Sequence, residues 1–137
     1  MTPGTEMPDH FLITDVDKTR RLITFRLSGM EPSRYYVDLM LDAYKQVPEL
    51  WLYNRILDHR KFRGFIEFDD LLRIQAFWAE VMEGRNEKPR VALVTRDPLA
   101  HARTSAAGNM FTDAQFRSFM NMRQALAWIR ETEKVTA

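Results

Sequence analysis

A cluster of basic and imidazole side chains lies midway along the chain, in the stretch LDHRKFRGFIEFDDLL from Leu57 to Leu72. Its members are His59, Arg60, Lys61 and Arg63. Such side chains can bind a phosphate, an anionic headgroup or an acidic protein surface. Four acidic residues lie in the same stretch, and they can equally well neutralise the cations of an ordinary solvated loop. From the sequence, both interpretations stay open.

Other site chemistry has little support in the residue types. The chain has no cysteine, and its histidines, His10, His59 and His101, lack the i, i+4 spacing of a helical metal pair. The glycines do not form a phosphate-binding motif. We therefore predict no catalytic residue, no metal site and no cofactor.

Composition favours a globular protein without a charged field. Of 137 residues, 45% are hydrophobic and 28% charged, which is ordinary for a folded domain. The formal net charge is +1, so nucleic acid is not an expected partner. The N-terminal segment lacks the pattern of a signal peptide, and no apolar run approaches the roughly 20 residues that span a bilayer. We predict a cytoplasmic protein without a transmembrane segment.

Hydrophobic periodicity predicts one α/β domain over residues 11–137, after a flexible tail over residues 1–10. FLITDV and RLITFRL, residues 11–16 and 21–27, have the composition of a β-hairpin. The nearly continuous apolar run LWLYNRIL, residues 50–57, is typical of a strand buried on both faces. With two later strands and four helices, the order is β-β-α-β-α-β-α-β-α. This order predicts a mixed sheet of about five strands whose later strands are parallel.

The basic cluster falls on the predicted connection between the third strand and the second helix, residues 58–70. Ligands of open α/β sheets tend to bind beyond the carboxyl ends of parallel strands, so this loop is a favoured position for a site. In the binding interpretation the basic and imidazole side chains attract an anion and the aromatic side chains form a wall. The predicted binding residues are His59, Arg60, Phe62, Arg63 and Phe65.

Methionine and aromatic side chains are concentrated in the last third of the chain. Such clusters sometimes line adaptable apolar pockets, and more often they form core. We expect a pocket, if there is one, between the third helix, the last helix and the sheet, and a homodimer patch is a further alternative. The residues concerned are Met110, Phe111, Phe116, Phe119, Met122 and Trp128.

Four segments carry a resemblance to a known family: LSG (27–29), LDHRKFRGF (57–65), PRVALVT (89–95) and FRSFMNMRQALAWI (116–129). With the element order, they resemble the STAS-like, or SpoIIAA-like, family over about residues 11–133. The resemblance implies the mixed-sheet fold described above. Relatives include anti-anti-sigma factors that bind a kinase partner and cytoplasmic domains of anion transporters. The fold also resembles lipid-carrying domains, and the small stand-alone members have no settled function.

The chain departs from the anti-anti-sigma pattern at the start of the second helix. That pattern places a phosphorylated serine there, whereas this chain has Phe68, Asp69 and Asp70 in the corresponding position. Carboxylates suit the positive end of a helix dipole, and we predict that Asp69 or Asp70 caps the helix. A phosphorylation switch at this position is therefore not expected.

Together these features predict a non-enzymatic binding module that recognises a protein partner in a regulatory setting. The alternative is a carrier or sensor of a small apolar or lipid-like molecule, which can be acidic. A closed cavity lined by methionine and phenylalanine between the helices and the sheet would favour the carrier. An exposed 58–70 loop without a cavity would favour the protein partner.

Overall fold

Five strands form one mixed sheet, in the order in which they occur along the chain. A computed structural model describes residues 11–136, with side-chain environments for residues 11–131. The first two strands pair antiparallel, and the other three continue parallel to the second. The strands are β1 (Leu12–Asp17), β2 (Leu22–Gly29), β3 (Asn54–Phe62), β4 (Arg90–Val94) and β5 (Gln115–Phe119).

Four helices connect and follow these strands: α1 (Ser33–Lys45), α2 (Phe68–Met82), α3 (Pro98–Met110) and α4 (Met122–Thr136). The predicted fold class and element order are thereby confirmed. The predicted tail, residues 1–10, lies outside the described residues, and the boundaries of the single domain stay a prediction.

Local signals in the sequence set the starts of α3 and α4. The side chain of Asp97 accepts a hydrogen bond from the Leu99 amide at 3.0 Å, and proline occupies the first turn of α3. The Gln124 amide donates to Asn121 Oδ1 at 2.9 Å at the start of α4. Both arrangements satisfy amide groups that lack partners within a helix.

The helices divide between the two faces of the sheet. Alternation along β2 directs Ile23, Phe25 and Leu27 toward α1 and α2, where they form one part of the core. Residues Ile56 and Val94 belong to the second part of the core, on the face covered by α4. Helix α3 packs along β5, and a cavity lies between α2 and α3.

The third strand lies later in the chain than the apolar run predicted. Leu50–Leu52 form a short 3₁₀ helix, which follows Glu49 in a left-handed conformation with φ of 54°. The parallel pairing of β3 with β2 then continues to the pairs Ser28–Lys61 and Gly29–Phe62. The predicted 58–70 loop is therefore wrong in its first part, because residues 58–62 are strand and only 63–67 connect β3 to α2.

The start of α2 is stabilised from α1, and the prediction that Asp69 or Asp70 caps it is wrong. The capping position is Glu67, whose side chain makes no capping bond. Instead the Ser33 hydroxyl accepts from the Glu67 amide at 3.1 Å and donates to the buried Asp70 carboxylate. Because Ser33 is distant in sequence, periodicity around α2 gave no sign of this link.

Candidate ligand-binding cavity

A cavity of about 690 Å³ lies between α2, α3 and the sheet face that these helices cover. This volume is within the range of roughly 300–1,000 Å³ typical of small-molecule sites. The walls are mainly apolar, and no aspartate or glutamate is among the lining residues. Apolar lining residues include Leu57, Leu71, Ile74, Val91, Leu93, Met110, Phe111 and Phe116.

Strand β3 supplies the two polar groups of the cavity floor. Alternate residues of a strand point to the same face, so Arg55, Leu57 and His59 all line the cavity. The residues between them, Ile56 and Asp58, are buried away from it. One cation and one imidazole of β3 are thus directed into the protein instead of into solvent.

Arg55 lies in the interior and forms no ion pair with another described residue. The residue is 4% exposed, and its guanidinium carbon is 3.6 Å from the centre of the Trp78 ring. Burial lowers the pKa of Arg55, while Tyr44 and, more weakly, Asp113 raise it. An arginine nevertheless stays protonated in a protein. Among the described residues it forms no ion pair, and its Nε makes no hydrogen bond.

The groups around Arg55 can donate hydrogen bonds to a ligand, although the Tyr44 phenol oxygen also accepts from the Arg55 guanidinium. Tyr44 lines the cavity beside it, and burial raises the pKa of the Tyr44 phenol, while Arg55 and Trp78 lower it. The Trp78 indole N–H is buried and makes no hydrogen bond. A guanidinium, a phenol and an indole N–H therefore converge at a place where no carboxylate of the described residues lies within ion-pair distance of Arg55. Such a set of groups is suited to an anionic acceptor.

His59 is the second polar group of the floor. Its ring contacts the Phe62 ring edge-on at 5.2 Å between centres. Burial lowers the pKa of His59 to about 4, and the neighbouring Asp58 raises it by less. At neutral pH the imidazole is therefore uncharged, with one nitrogen as donor and the other as acceptor.

The low pKa of His59 predicts acid sensitivity. Between its folded pKa of about 4 and its unfolded value of 6.5, the unfolded chain binds more protons than the folded protein. The neutral, buried His59 therefore costs no stability above about pH 6.5, and the free energy of unfolding decreases as the pH falls from 6.5 toward 4. When the pH falls from about 7 to about 4.5, we expect the free energy of unfolding of the wild type to decrease by about 2–3 kcal/mol more than that of His59→Gln.

Urea unfolding of both proteins at the two pH values measures this difference. The pKa of Asp58 is lowered, since the bonds from Arg60 outweigh the effect of its burial. The Asp58 carboxylate therefore affects the pH dependence of stability mainly below pH 4.5, and it is present in both proteins. Equal losses of stability in the two proteins would show that His59 is not the acid-sensitive group.

Comparison with known proteins agrees with the architecture. A family model described as SpoIIAA-like matches residues 22–130. The chain belongs to the SpoIIAA-like family. A crystal structure at 2.25 Å resolution of an uncharacterized SpoIIAA-like protein from Shewanella loihica PV-4 superimposes with a TM-score of 0.62. The two chains are 17% identical over 86% of this chain and 91% of the other, a likeness that shows the fold. A comparison with curated proteins found no match.

The residues that the sequence predicted to bind a ligand, from His59 to Phe65, lie in different environments in the folded chain. Arg60 turns back to the buried Asp58, with which it makes two side-chain hydrogen bonds of 2.9 and 2.8 Å. Arg63 is exposed, and its amide donates to the Gly29 carbonyl. Phe62 packs against the buried Tyr36 at 4.8 Å between ring centres. Neither arginine faces the cavity.

The remaining predicted residues lie at the surface end of the cavity or support α2. Phe65 and Phe68 line the cavity and are 53% and 64% exposed, so they mark its opening. The Arg103 guanidinium lies 4.9 Å from the centre of the Phe65 ring. Asp69 is exposed, whereas Asp70 is buried and bound by Ser33 and Arg73.

The six predicted pocket residues divide between the two faces of the SpoIIAA-like sheet. Met110, Phe111 and Phe116 line the cavity. Phe119, Met122 and Trp128 instead pack in the core beneath α4. Because Phe116 and Phe119 are three residues apart on β5, their side chains lie on opposite faces of the sheet. The first cavity therefore has α2 as its second wall, whereas a second cavity of about 460 Å³, whose lining includes Phe119 and Trp128, lies at the predicted location between α3, α4 and β5.

Sequence reasoning missed Arg55, Tyr44 and Trp78. A signal was present, since Arg55 is the one charged residue in the apolar run LWLYNRIL. An arginine within a buried strand needs a partner, and Asp58, three residues later, would lie on the opposite face of the strand.

Two further observations concern the part of the SpoIIAA-like chain that the structure describes. No helix there combines the length and apolar character needed to cross a membrane. Within the same residues, histidine, aspartate and glutamate side chains form no group of three that could hold a metal ion.

Proposed function

We propose that this SpoIIAA-like protein binds a small apolar molecule that carries one acidic group, acting as a carrier or sensor without catalysing a reaction. The observation that supports the proposal is Arg55, a buried guanidinium at an apolar cavity that forms no ion pair with any described residue. In the proposed complex the acid of the ligand binds Arg55, and the ligand's apolar part occupies the space between α2 and α3.

The energetics of a buried charge support this assignment. Removing an ion from water costs several kcal/mol, even after the protein has relaxed around it. Stacking on Trp78 offsets roughly 2 kcal/mol of such a cost. A carboxylate can accept two parallel hydrogen bonds from a guanidinium and provides the missing charge. The ligand thus supplies a group that the described residues do not place beside Arg55.

Charge around the cavity also favours an anion over a cation. Arg55 and Arg103 are the lining residues that carry a charge at neutral pH, and both are positive. Arg103 lies beside the opening, where it can attract an acid from solution before the acid reaches Arg55. An amine-containing ligand would meet repulsion at both positions.

A protein partner is the second candidate, and exposed aromatic residues favour it. Phe65 and Phe68 present apolar surface around the start of α2, and such exposed patches often mark interaction sites. The cavity opens to solvent beside Phe65 and Phe68 and is not the closed cavity expected of a carrier, but its apolar lining supports the carrier proposal. The protein partner, the homodimer and the cytoplasmic location stay predictions.

A competition among head groups tests the proposed function. The purified protein is incubated with an equimolar mixture of dodecanoic acid, dodecanol and dodecylamine, and the complexes are weighed by native mass spectrometry. We expect the adduct to contain the acid, because the three molecules share one chain and differ only in charge.

The variant Arg55→Met provides the comparison, since it removes the charge and keeps an unbranched side chain. We expect this variant to lose its preference for the acid. Equal binding of alcohol and acid by the wild type would contradict the role of Arg55. Absence of every adduct would contradict an apolar ligand and would favour the protein partner.

A further inference from the structure

The part of the cavity floor formed by β3 contains a second polar group, His59, which an acid bound at Arg55 would leave without a partner. His59 lies four residues after Arg55 on the same face of β3, and both line the cavity. Their Cα atoms are separated by about 13 Å of extended strand. Two polar groups thus lie toward opposite ends of an apolar floor, with Leu57 between them.

The surroundings of His59 leave its ring nitrogens available. Its described ring contact is the edge-on contact with Phe62, and no hydrogen bond joins either nitrogen to another described residue. Asp58, the adjacent carboxylate, points to the other face and is held by Arg60. Polar groups in an apolar site cost free energy unless they form hydrogen bonds, so a ligand group that bonded His59 would gain affinity.

We propose that the ligand carries, in addition to its acid, an uncharged hydrogen-bonding group such as a hydroxyl, and that His59 is the residue that selects it. This inference rests on the proposed function, because the acid at Arg55 sets the position of the rest of the molecule. The ligand class is therefore an elongated apolar acid with a neutral oxygen function toward its far end.

A second acid at the far end fits less well. With a pKa of about 4, His59 is uncharged at neutral pH and provides no charge to balance another carboxylate. A hydroxyl can both donate to and accept from a neutral imidazole.

The test measures the affinity of two matched series of linear acids, from octanoic to tetradecanoic acid, each with and without a terminal hydroxyl. Displacement of cis-parinaric acid, a fluorescent apolar acid, gives the affinities for wild type, His59→Phe and His101→Phe. At one chain length we expect the hydroxy acid to bind wild type roughly tenfold more tightly than the plain acid. In His59→Phe we expect the plain acid to bind more tightly than the hydroxy acid of the same length.

His101→Phe is the matched control, because His101 lines a separate cavity beside α4 and should leave the preference unchanged. If plain acids bind to wild type and no chain length shows a preference for the hydroxyl, the role of His59 is overturned and the proposed function stands. If no acid of either series displaces the probe, the proposed function itself fails. A preference that persists in His59→Phe would assign the selection to another residue.

Discussion

Replacement of Arg55 by methionine is expected to stabilise the ligand-free protein by about 1–3 kcal/mol and to abolish its selective binding of an acid. The first effect follows from the desolvated guanidinium, which has no ion pair among the described residues and an Nε without a partner. Methionine removes the charge and can keep a favourable contact with the Trp78 ring. Urea unfolding measures the stability, and titration with dodecanoic acid measures the binding.

Arg90→Met is the matched control for this prediction. Arg90 also lies over a tryptophan ring and also has a buried Nε without a partner. Its Nη1, however, donates to the Trp128 carbonyl at 2.7 Å and to Glu131 at 3.0 Å. We therefore expect Arg90→Met to lose stability, by about 1–2 kcal/mol. A similar loss in Arg55→Met would show that Arg55 is compensated inside the free protein and does not need a ligand.

Trp128→Ala is expected to lower the free energy of unfolding by about 3–5 kcal/mol, the cost of truncating a large core aromatic. Trp128 is 8% exposed and packs against Phe119 at 5.6 Å between ring centres. Because it lies on the opposite face of the sheet, the affinity of the folded variant for dodecanoic acid should not change. Chemical unfolding and a binding titration test the two effects separately.

Phe116→Ala supplies the contrast, since Phe116 lines the cavity and is only half-buried. We expect it to change ligand affinity and to lose less stability than Trp128→Ala. The milder variant Trp128→Phe keeps the comparison possible if the alanine variant does not fold. Reduced acid binding by folded Trp128→Phe would place the ligand near α4 and contradict the position of the cavity.

The fold was predictable because its signals are local. The hairpin, the cap at Asp97 and strand β5 each depend on residues that are neighbours in sequence. The start of β3 was predicted too early because apolar residues indicate burial and do not by themselves indicate a strand. Leu50–Leu52 are apolar, but they form a 3₁₀ helix. The pairing with β2 extends β3 across charged residues, and that tertiary contact overrides local composition.

The site was predictable only in part, since a cavity depends on which faces meet. His59 and Phe65 were identified from the basic cluster, and Met110 and Phe116 from the apolar cluster, and the structure brings all four to one cavity. Arg60 belongs to the same cluster by sequence, but it turns to the buried Asp58. Alternation along the strand decides that His59 enters the interior and Arg60 does not, and the uncertain start of β3 left this alternation undetermined.

Isothermal titration calorimetry of dodecanoic acid with wild type and Arg55→Met tests whether Arg55 binds the acid. We expect saturable binding to wild type at one site per chain, and a loss of at least roughly tenfold in affinity when the guanidinium is removed, as for one charge-assisted hydrogen bond. Equal affinities for the two proteins would contradict the assignment of Arg55 as the acid-binding group.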